Sequence, residues 1–555
     1  MGVTGRPATA RTARQALPSV RRLGWPAATA AGAVILFWSA LRESRTTAVQ
    51  SDGASIALQA WAMLHGNLLL HGWSVADVSY YTTELPEYTL AEAVRGMTPE
   101  VVHVCAALTY TLLVLLAALV ARGQARGREG VVRVAITVAI MLGPSLAAAA
   151  TLISVPDHTG TAVPVLAALA LIDRASRDGG KRAPRTPPGR HWWVPAGVAL
   201  LLGWALAGDP LVLLIGVVPL LVVCGARSFR LLVQRGVPLA AARHEVSLTA
   251  AAVAAVVIGT VVTHAVTMLG GFTTSRGANH FVLSGTLIKN AAGLVEDFLG
   301  LFSADFFGAR FGPGLVITGI HLVAAVAVAV AVAQALRRFF WSEDLVIPLL
   351  AVAIVVNIAA FSVIYEVAAS TTREIAPVFA LGAALAGRLL AGPVLRGRLE
   401  PVLAACLAAA LLAAAPPVLL AKPAPLSRSG LVAWLEQRHL RQGVAAYWDA
   451  NSVTMASGGR VTMRAVISLQ AATLVPYPWE LNRALLDSRA NYVNFLVATA
   501  PHAEGGATVT GRQAIATFGP PYRSYRYAGY TIMVWRKNLL TQLVRLFAVS
   551  PVCLR

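Results

Sequence analysis

The chain has 555 residues, of which 57% are hydrophobic and only 13% charged, with a mean hydropathy of +0.65. Soluble domains carry about 25% charged residues, so this composition excludes an ordinary soluble protein and leaves most of the chain to be solvated by lipid. A net charge of +20 would point to nucleic acid in a soluble protein, but here the cations fall between apolar segments, where membrane topology accounts for them and no nucleic-acid partner is implied.

Arg6, Arg11, Arg14, Arg21 and Arg22 precede the first apolar run, and no small-residue cleavage site leading into a soluble chain follows, so the segment reads as a retained signal anchor. Transmembrane spans are predicted at 25–41, 101–121, 132–153, 159–173, 192–207, 210–225, 246–269, 312–335, 344–364, 375–391 and 401–420. The fourth to sixth are only about fifteen residues long and need membrane thinning, snorkelling or burial in the bundle. Cys105, Cys224 and Cys406 fall inside spans and Cys553 at the extreme C-terminus, which gives no disulfide or zinc framework.

Loop charges set the orientation, since cytoplasmic loops hold the excess of Lys and Arg. With these spans, the N-terminal arginines share one side with Arg122, Arg126, Arg128 and Arg133, then with Arg174, Arg177, Lys181, Arg182, Arg185 and Arg190. Arg227, Arg230, Arg235, Arg243, Arg337, Arg338, Arg388, Arg396 and Arg398 continue that cytoplasmic set. The opposite loops are 42–100, 154–158, the Gly208-Asp209 turn, 270–311 and 365–374. Eleven crossings from a cytoplasmic N-terminus (1–24) place the multispan domain at 25–421 and residues 422–555 outside the membrane. The abundance of Arg over Lys and of Ala fits a bacterial plasma membrane.

Beyond residue 421 the composition returns to that of a small α/β domain. Ser429 is expected to cap a helix reaching about His439 and ending near Gly443. Val453–Met455 is expected to pair as a strand with Val461–Val466 across Ser457-Gly458-Gly459. Further strands are expected at Asn491–Thr499 and Tyr530–Trp535, with a helix over Thr510–Phe518 stopped by Gly519-Pro520-Pro521.

The first outer loop is about sixty residues long, far more than a connector needs, so it must be structured. After Ser51-Asp52-Gly53, the residues Ala57, Ala60, Trp61, Leu64 and Leu68 share one helical face, as in a helix lying along the interface. Asp52 is placed either to cap that helix or to act as a general base on an acceptor hydroxyl. Glu84 and Glu87 put two carboxylates in one short segment of the same loop, suited to base or metal chemistry or to plain solvation. Asp157 and His158 form a pair at the second outer turn that can bind a metal, share a proton or serve as a cap. A divalent cation is therefore a candidate cofactor, without a ligand set that spacing can fix. Asp209-Pro210 has the form of a helix start, with the acid as cap. Arg276, His280 and Lys289 give a cationic strip beside Phe272 and Phe281 that can grip a lipid phosphate. Arg373, at the outer start of the tenth span, must either pair with a carboxylate such as Glu374 or bind an anion. The absence of a Walker A sequence, a Rossmann glycine fingerprint and a Gly-x-Ser-x-Gly elbow argues against ATP-driven transport and elbow-type hydrolysis.

One Arg-flanked span, a long outer loop opening with Asp52, an interfacial helix, many further spans and an outward α/β domain together resemble the GT-C superfamily of membrane glycosyltransferases, as a divergent member. Protein O-mannosyltransferases and aminoarabinose transferases are its bacterial-type members. The resemblance extends to Trp434-Leu435, Tyr447-Trp448, Phe518-Gly519-Pro520-Pro521 and Trp535-Arg536-Lys537-Asn538-Leu539 in the tail. It implies an α-helical polytopic fold with an active-site acid in the first outer loop, which Asp52 matches, and a second in the next outer loop, where Asp157 falls. Asp52-Gly53 stands where the mannosyltransferases commonly have Asp-Glu, leaving Glu84 or Glu87 as the acids that can supply a second carboxylate.

The implied reaction is inverting transfer of a sugar from a polyprenyl-phosphate lipid to an extracytoplasmic glycan, lipid or protein acceptor. Asp52 would activate the hydroxyl, and Arg373, with Arg276 and Lys289 behind it, would hold the leaving phosphate. A lipid-linked substrate transporter or flippase would show broken helices and paired repeats. A noncatalytic scaffold for envelope assembly would leave Asp52 and Arg373 as cap and ion pair.

Overall fold

The computed structural model describes residues 17–154, 158–179, 193–274, 281–307, 311–364, 367, 369–420, 422–424, 428–469, 473–499 and 508–543. The apolar region is a bundle of α1 (Leu17–Ser44), α2 (Ser51–Leu64), α3 (Leu85–Arg95), α4 (Glu100–Arg122), α5 (Gly127–Met141), α6 (Leu146–Leu152), α7 (Ala162–Gly179) and α8 (Trp193–Gly208). It continues with α9 (Val218–Phe229), α10 (Leu239–Met268), α11 (Ser284–Leu301), α12 (Pro313–Arg337), α13 (Val346–Ile364), α14 (Pro377–Arg396) and α15 (Glu400–Leu420).

Ten of the expected spans each overlap one of these helices, whereas the third, 132–153, is broken into α5 and α6. Among the described residues, six are long and apolar enough to cross a membrane, or seven if α5 and α6, bent by 104°, form one broken span. The sixth expected span is longer than its sequence window. π-helical turns at Leu213–Val217 and Arg230–Gln234 flank α9 and extend it to 22 residues. The fourth outer loop holds α11, a helix that the sequence pattern did not single out. Its exposed Leu287, Ile288 and Val295 suit lipid contact. On its other face, Asn290 donates to the Ser362 carbonyl at 2.7 Å and Asp297 accepts from Thr372 at 2.9 Å.

At the centre stands α14, in which every residue from Pro377 to Arg388 is buried. A helix apolar all round has no solvent face to keep, and its small residues let its neighbours close in. A methyl group at Gly387 would lie 2.6 Å from the Arg133 carbonyl of α5, and one at Gly382 2.6 Å from Val328 of α12. The inner end of α14 is pinned by charge. Arg388 donates to Asp173 of α7 at 2.6 Å, to the Val120 carbonyl of α4 at 2.6 Å, and to Asp344 just before α13. The outer end is preceded by a 3-10 turn, Ala369–Ile375, which carries Arg373 and Glu374.

The outer domain is built from α16 (Ser429–Gln437), α17 (Tyr447–Ala456) and α18 (Gly511–Phe518). The strands among the described residues are β1 (Trp73–Val75), β2 (Thr273–Thr274), β3 (Gln442–Ala446), β4 (Thr462–Leu469), β5 (Thr473–Pro476), β6 (Leu481–Asn482), β7 (Phe495–Ala498), β8 (Arg523–Tyr527) and β9 (Tyr530–Val534). Six of them form one sheet in the order β5-β4-β3-β7-β9-β8, with β3 parallel to both β4 and β7. The expected hairpin is absent. Val453–Met455 lies in α17, and β4 pairs instead with β3 and β5, because the chain crosses from β3 to a parallel neighbour and needs a helix to do so. Ser457-Gly458-Gly459 is a turn as expected, with Gly458 at φ +60° and Gly459 at φ +80°, but it joins α17 to β4. The α16 helix forms without a side-chain cap from Ser429, while Thr510 and Gln513 cap α18 reciprocally.

The outer domain is joined to the bundle through backbone as well as side chains. β1 of the first outer loop is sandwiched between β2 and β6, pairing Ser74 with Thr273 on one side and with Leu481 on the other. Met455 of α17 is buried in the same apolar cluster as Ala54, Ala57, Leu85 and Tyr88.

Breaking the inner clamp tests the anchoring of α14. Arg388→Met leaves Asp173 buried without its cation, at a cost of about 3–5 kcal/mol, and should lower the thermal midpoint in detergent. Adding Asp173→Asn and Asp344→Asn should recover most of that loss, whereas a midpoint unchanged by Arg388→Met would show that the clamp does not hold the helix.

Candidate active site

Asp52 occupies the first turn of α2, where an acid is favoured by the exposed amides and dipole of the helix N-terminus. The structure brings Arg373 to it across the whole transmembrane region: Arg373 Nη1 lies 3.5 Å from Asp52 Oδ2. The same guanidinium reaches back, with Nε 3.8 Å from Glu374 Oε1. Glu374 Oε2 is 3.3 Å from His158 Nε2, and His158 Nδ1 is 3.0 Å from Asp209 Oδ2. Five side chains from four separate outer segments thus form one connected series of carboxylate, guanidinium, carboxylate, imidazole and carboxylate.

The series runs from surface to interior. Side-chain exposure falls from 46% at Arg373 and 25% at Asp52 to 15% at Glu374, 7% at His158 and 1% at Asp209. Only the Asp52–Arg373 end is therefore open to a ligand, and the rest serves to hold it. Asp209 is anchored firmly. Its Oδ1 accepts the Leu211 amide at 2.8 Å, and its Oδ2 also accepts the Thr161 hydroxyl. His158 adopts φ +51°, an unusual conformation for a non-glycine residue, and its ring packs edge-on to Tyr80 with centroids 6.2 Å apart.

The domain closes the other side of Asp52. The Tyr447 hydroxyl of α17 donates to Asp52 Oδ1, and the Ser51 hydroxyl donates to the Tyr447 carbonyl. Burial, reinforced by the nearby Asp52 and Glu480, holds the Tyr447 proton far above its ordinary range, so Tyr447 is a neutral donor.

Of the residues singled out from sequence, Asp52, Arg373 and His158 meet in this series. Asp157 and Arg276 lie outside the described residues. Lys289 is exposed on α11, and no described contact brings it to the series. Glu84 is buried beneath the site, with its carboxyl packed against Gly160 so closely that a methyl group there would overlap it. Neither oxygen of Glu84 has a hydrogen-bond partner among the described residues. Burial, with a smaller contribution from Asp209, pushes its pKa up from 4.5 to about 8. Glu87 is likewise pushed up, to about 7, by burial and accepts from Thr109 at 3.1 Å. Glu84 is thus a neutral acid inside the protein, and Glu87 is a largely buried carboxyl rather than a solvated loop group.

Sequence reasoning missed two members of the series and one neighbour. Asp209 was assigned to a cap, which describes only one of its oxygens. Glu374 was noted merely as a possible partner of Arg373. Asp77, raised above the usual carboxylate range by burial and by Glu374, against a lowering by His158, adjoins the series with no sequence signal beyond its place in the first outer loop. Among the described residues, no three His, Cys, Asp or Glu side chains converge to hold a metal ion.

Comparison with family models and with curated proteins gives no match. Among solved structures, the chain is similar to ArnT from Cupriavidus metallidurans, determined in a crystal structure bound to undecaprenyl phosphate, with a TM-score of 0.53. The two share 12% sequence identity, over 92% of this chain and 98% of that one. The chain therefore shares the fold of that protein, as the resemblance read from the sequence implied, over nearly its whole length.

Glu84 offers a pH test of this site's packing. Its folded pKa is raised, so the stability that it contributes is complete below about pH 4.5 and is lost as pH rises through about 8. Glu84→Gln, neutral throughout, should leave the thermal midpoint near that of the wild type at pH 5 and raise it relative to the wild type at pH 9. A difference independent of pH would contradict burial of an ionisable Glu84.

Proposed function

We propose that this protein is a membrane glycosyltransferase that takes its sugar from a polyprenyl-phosphate lipid and passes it to an extracytoplasmic hydroxyl. The observation that carries this reading is the Asp52–Arg373 pair at the open end of the series, on the fold of a transferase whose structure holds undecaprenyl phosphate. A hydroxyl is a weak nucleophile and needs a base, whereas the departing phosphate is an anion and needs a cation. In the proposed step, the acceptor oxygen attacks C1 of the sugar from the face opposite the phosphate while Asp52 takes its proton. The C1–O bond breaks with inversion, and the phosphate leaves with the electron pair. Arg373 offers two parallel donors to its oxygens, a geometry that lysine lacks. The incoming phosphate competes with Asp52 for the same guanidinium, so donor binding draws Arg373 off the carboxylate that must accept the proton. Asp157, Arg276 and Lys289 remain candidates for the same work.

The orientation belongs to the proposal. All eleven helical segments cross, the N-terminus faces the cytoplasm of a bacterial plasma membrane, and the outer domain faces away from it. Arg126→Cys and Ala490→Cys, each exposed, should react with an impermeant maleimide from opposite sides of sealed vesicles. Labelling from one side would mean a span count wrong by an odd number.

Activity is testable with a panel of undecaprenyl-phosphate sugars and an envelope extract as acceptor, reading release of undecaprenyl phosphate. Asp52 lies in the first turn of α2 and is not its cap, which is Gln50 without a side-chain bond; Asp52→Asn keeps the size of the side chain and should reduce release by about 10²–10⁴-fold with little change in thermal midpoint. Arg373→Lys should raise the apparent KM for donor lipid, and Arg373→Ala should raise it further. Normal release by well-folded Asp52→Asn protein would exclude Asp52 as the base. The transporter reading has the 104° break between α5 and α6 in its favour, but the outer domain bonded directly to the charged pair favours transfer.

A further inference from the structure

The side of Asp52 away from the membrane bundle is formed by the outer domain, through contacts that the reaction scheme above does not use. Tyr447 opens α17 directly after β3, so its backbone is fixed by the central parallel strand of the sheet. Its ring stacks on Tyr477 at 4.5 Å, and only 5% of the residue is exposed. Its carbonyl accepts from Ser51 and its hydroxyl donates to Asp52, so consecutive residues at the start of α2 are both held by one residue of the domain. One turn further along α2, Glu480 of the same domain accepts from Ser55, from Gln59 at 2.5 Å and from the Ala76 amide at 3.1 Å. The domain therefore grips the helix that carries the proposed base along its length, and at Asp52 the grip falls on the carboxylate itself.

We propose that Tyr447 is a positioning residue for transfer: by holding Asp52 Oδ1 it keeps the carboxylate ionised and presents Oδ2, the oxygen turned toward Arg373, to the acceptor hydroxyl. The proposal rests on the reading of Asp52 as the base. A neutral hydroxyl that donates to a carboxylate stabilises the charged form and lowers its pKa, and a fixed donor also removes the freedom of the carboxylate to rotate. Among the described residues, the other titratable groups around Asp52 are these, by element. The 3-10 turn supplies Arg373 and Glu374, and the segment between β5 and β6 supplies Tyr477 and Glu480. On α3, Glu87 is engaged by Thr109, while Glu84 and Glu92 are buried neutral acids; on α4, Glu100 pairs with Arg45 and His103 with Ser44. Tyr447 is thus the neutral donor on a carboxylate whose countercharge is Arg373.

The experiment compares full-length wild type, Tyr447→Phe, Ser51→Ala and Asp52→Asn in nanodiscs. Dicyclohexylcarbodiimide, which attacks protonated carboxyls, reports the ionisation of Asp52 by mass spectrometry without any substrate, and release from the undecaprenyl-phosphate sugar panel reports transfer. Tyr447→Phe keeps the ring stack and removes only the hydroxyl. It should move the modification midpoint of Asp52 up by about one pH unit and shift the acid limb of kcat/KM with it, at an unchanged thermal midpoint. Ser51→Ala should move neither. An unmoved modification midpoint in Tyr447→Phe, or the same shift in Ser51→Ala, would overturn the proposal. A midpoint that moves while the acid limb does not would overturn the role in transfer. Full activity of Asp52→Asn would instead remove the base reading on which the role depends, and that variant tells the two failures apart.

Discussion

A charge carried into an apolar bundle must find an opposite charge or a set of donors, and that requirement organises this molecule at both faces of the membrane region. At the inner end of α14, one arginine gathers two aspartates from neighbouring helices. At the outer end, the turn before the same helix starts a series of alternating charges that ends in the buried Asp209. Each member is held by the next, so the exposed Arg373 inherits its position from groups that no ligand touches. A single helix, buried on all sides and fixed below, is the reference against which the site is built.

The outer domain completes what the bundle begins. Its strand β6 extends the small sheet of the first outer loop, its helix α17 shares that loop's apolar core, and Tyr447 bonds the carboxylate directly. The domain is thereby part of the wall of the site, and the site lies where bundle, loop and domain meet. Clefts between structural units are the usual place for a small ligand, because no single element has to be hollowed out to form them. Under the proposed function the donor headgroup arrives from the membrane plane, and the exposed apolar face of α11 stands beside the turn that carries Arg373.

The helical segments were legible because a lipid-facing or fully buried helix is written as a long apolar run, and Asp52 and Arg373 were legible because each stands at the mouth of such a run. Their meeting was not, since nothing local ties residues on the first outer loop to a turn near the tenth span. Asp209 illustrates a different loss. Capping accounts for one carboxylate oxygen, and spacing cannot show what the second oxygen holds. Val453 and Thr454 are β-branched and suggested a strand, but the segment lies between two parallel strands and buries one face on α2, so the crossover overrode local preference. In α11, the charges of the loop concealed an amphipathic helix whose Asn290 bonds the end of α13 and whose Asp297 bonds the turn before α14.

The most direct measurement is a cryo-electron microscopy structure of the protein in nanodiscs with undecaprenyl phosphate bound. A phosphate at this site would lie with its oxygens about 2.7–3.2 Å from the Arg373 guanidinium, with Asp52 released from that guanidinium and facing the sugar-bearing side of the phosphate. A phosphate bound elsewhere, with the Asp52–Arg373 pair intact, would contradict the assignment of this pair to donor transfer.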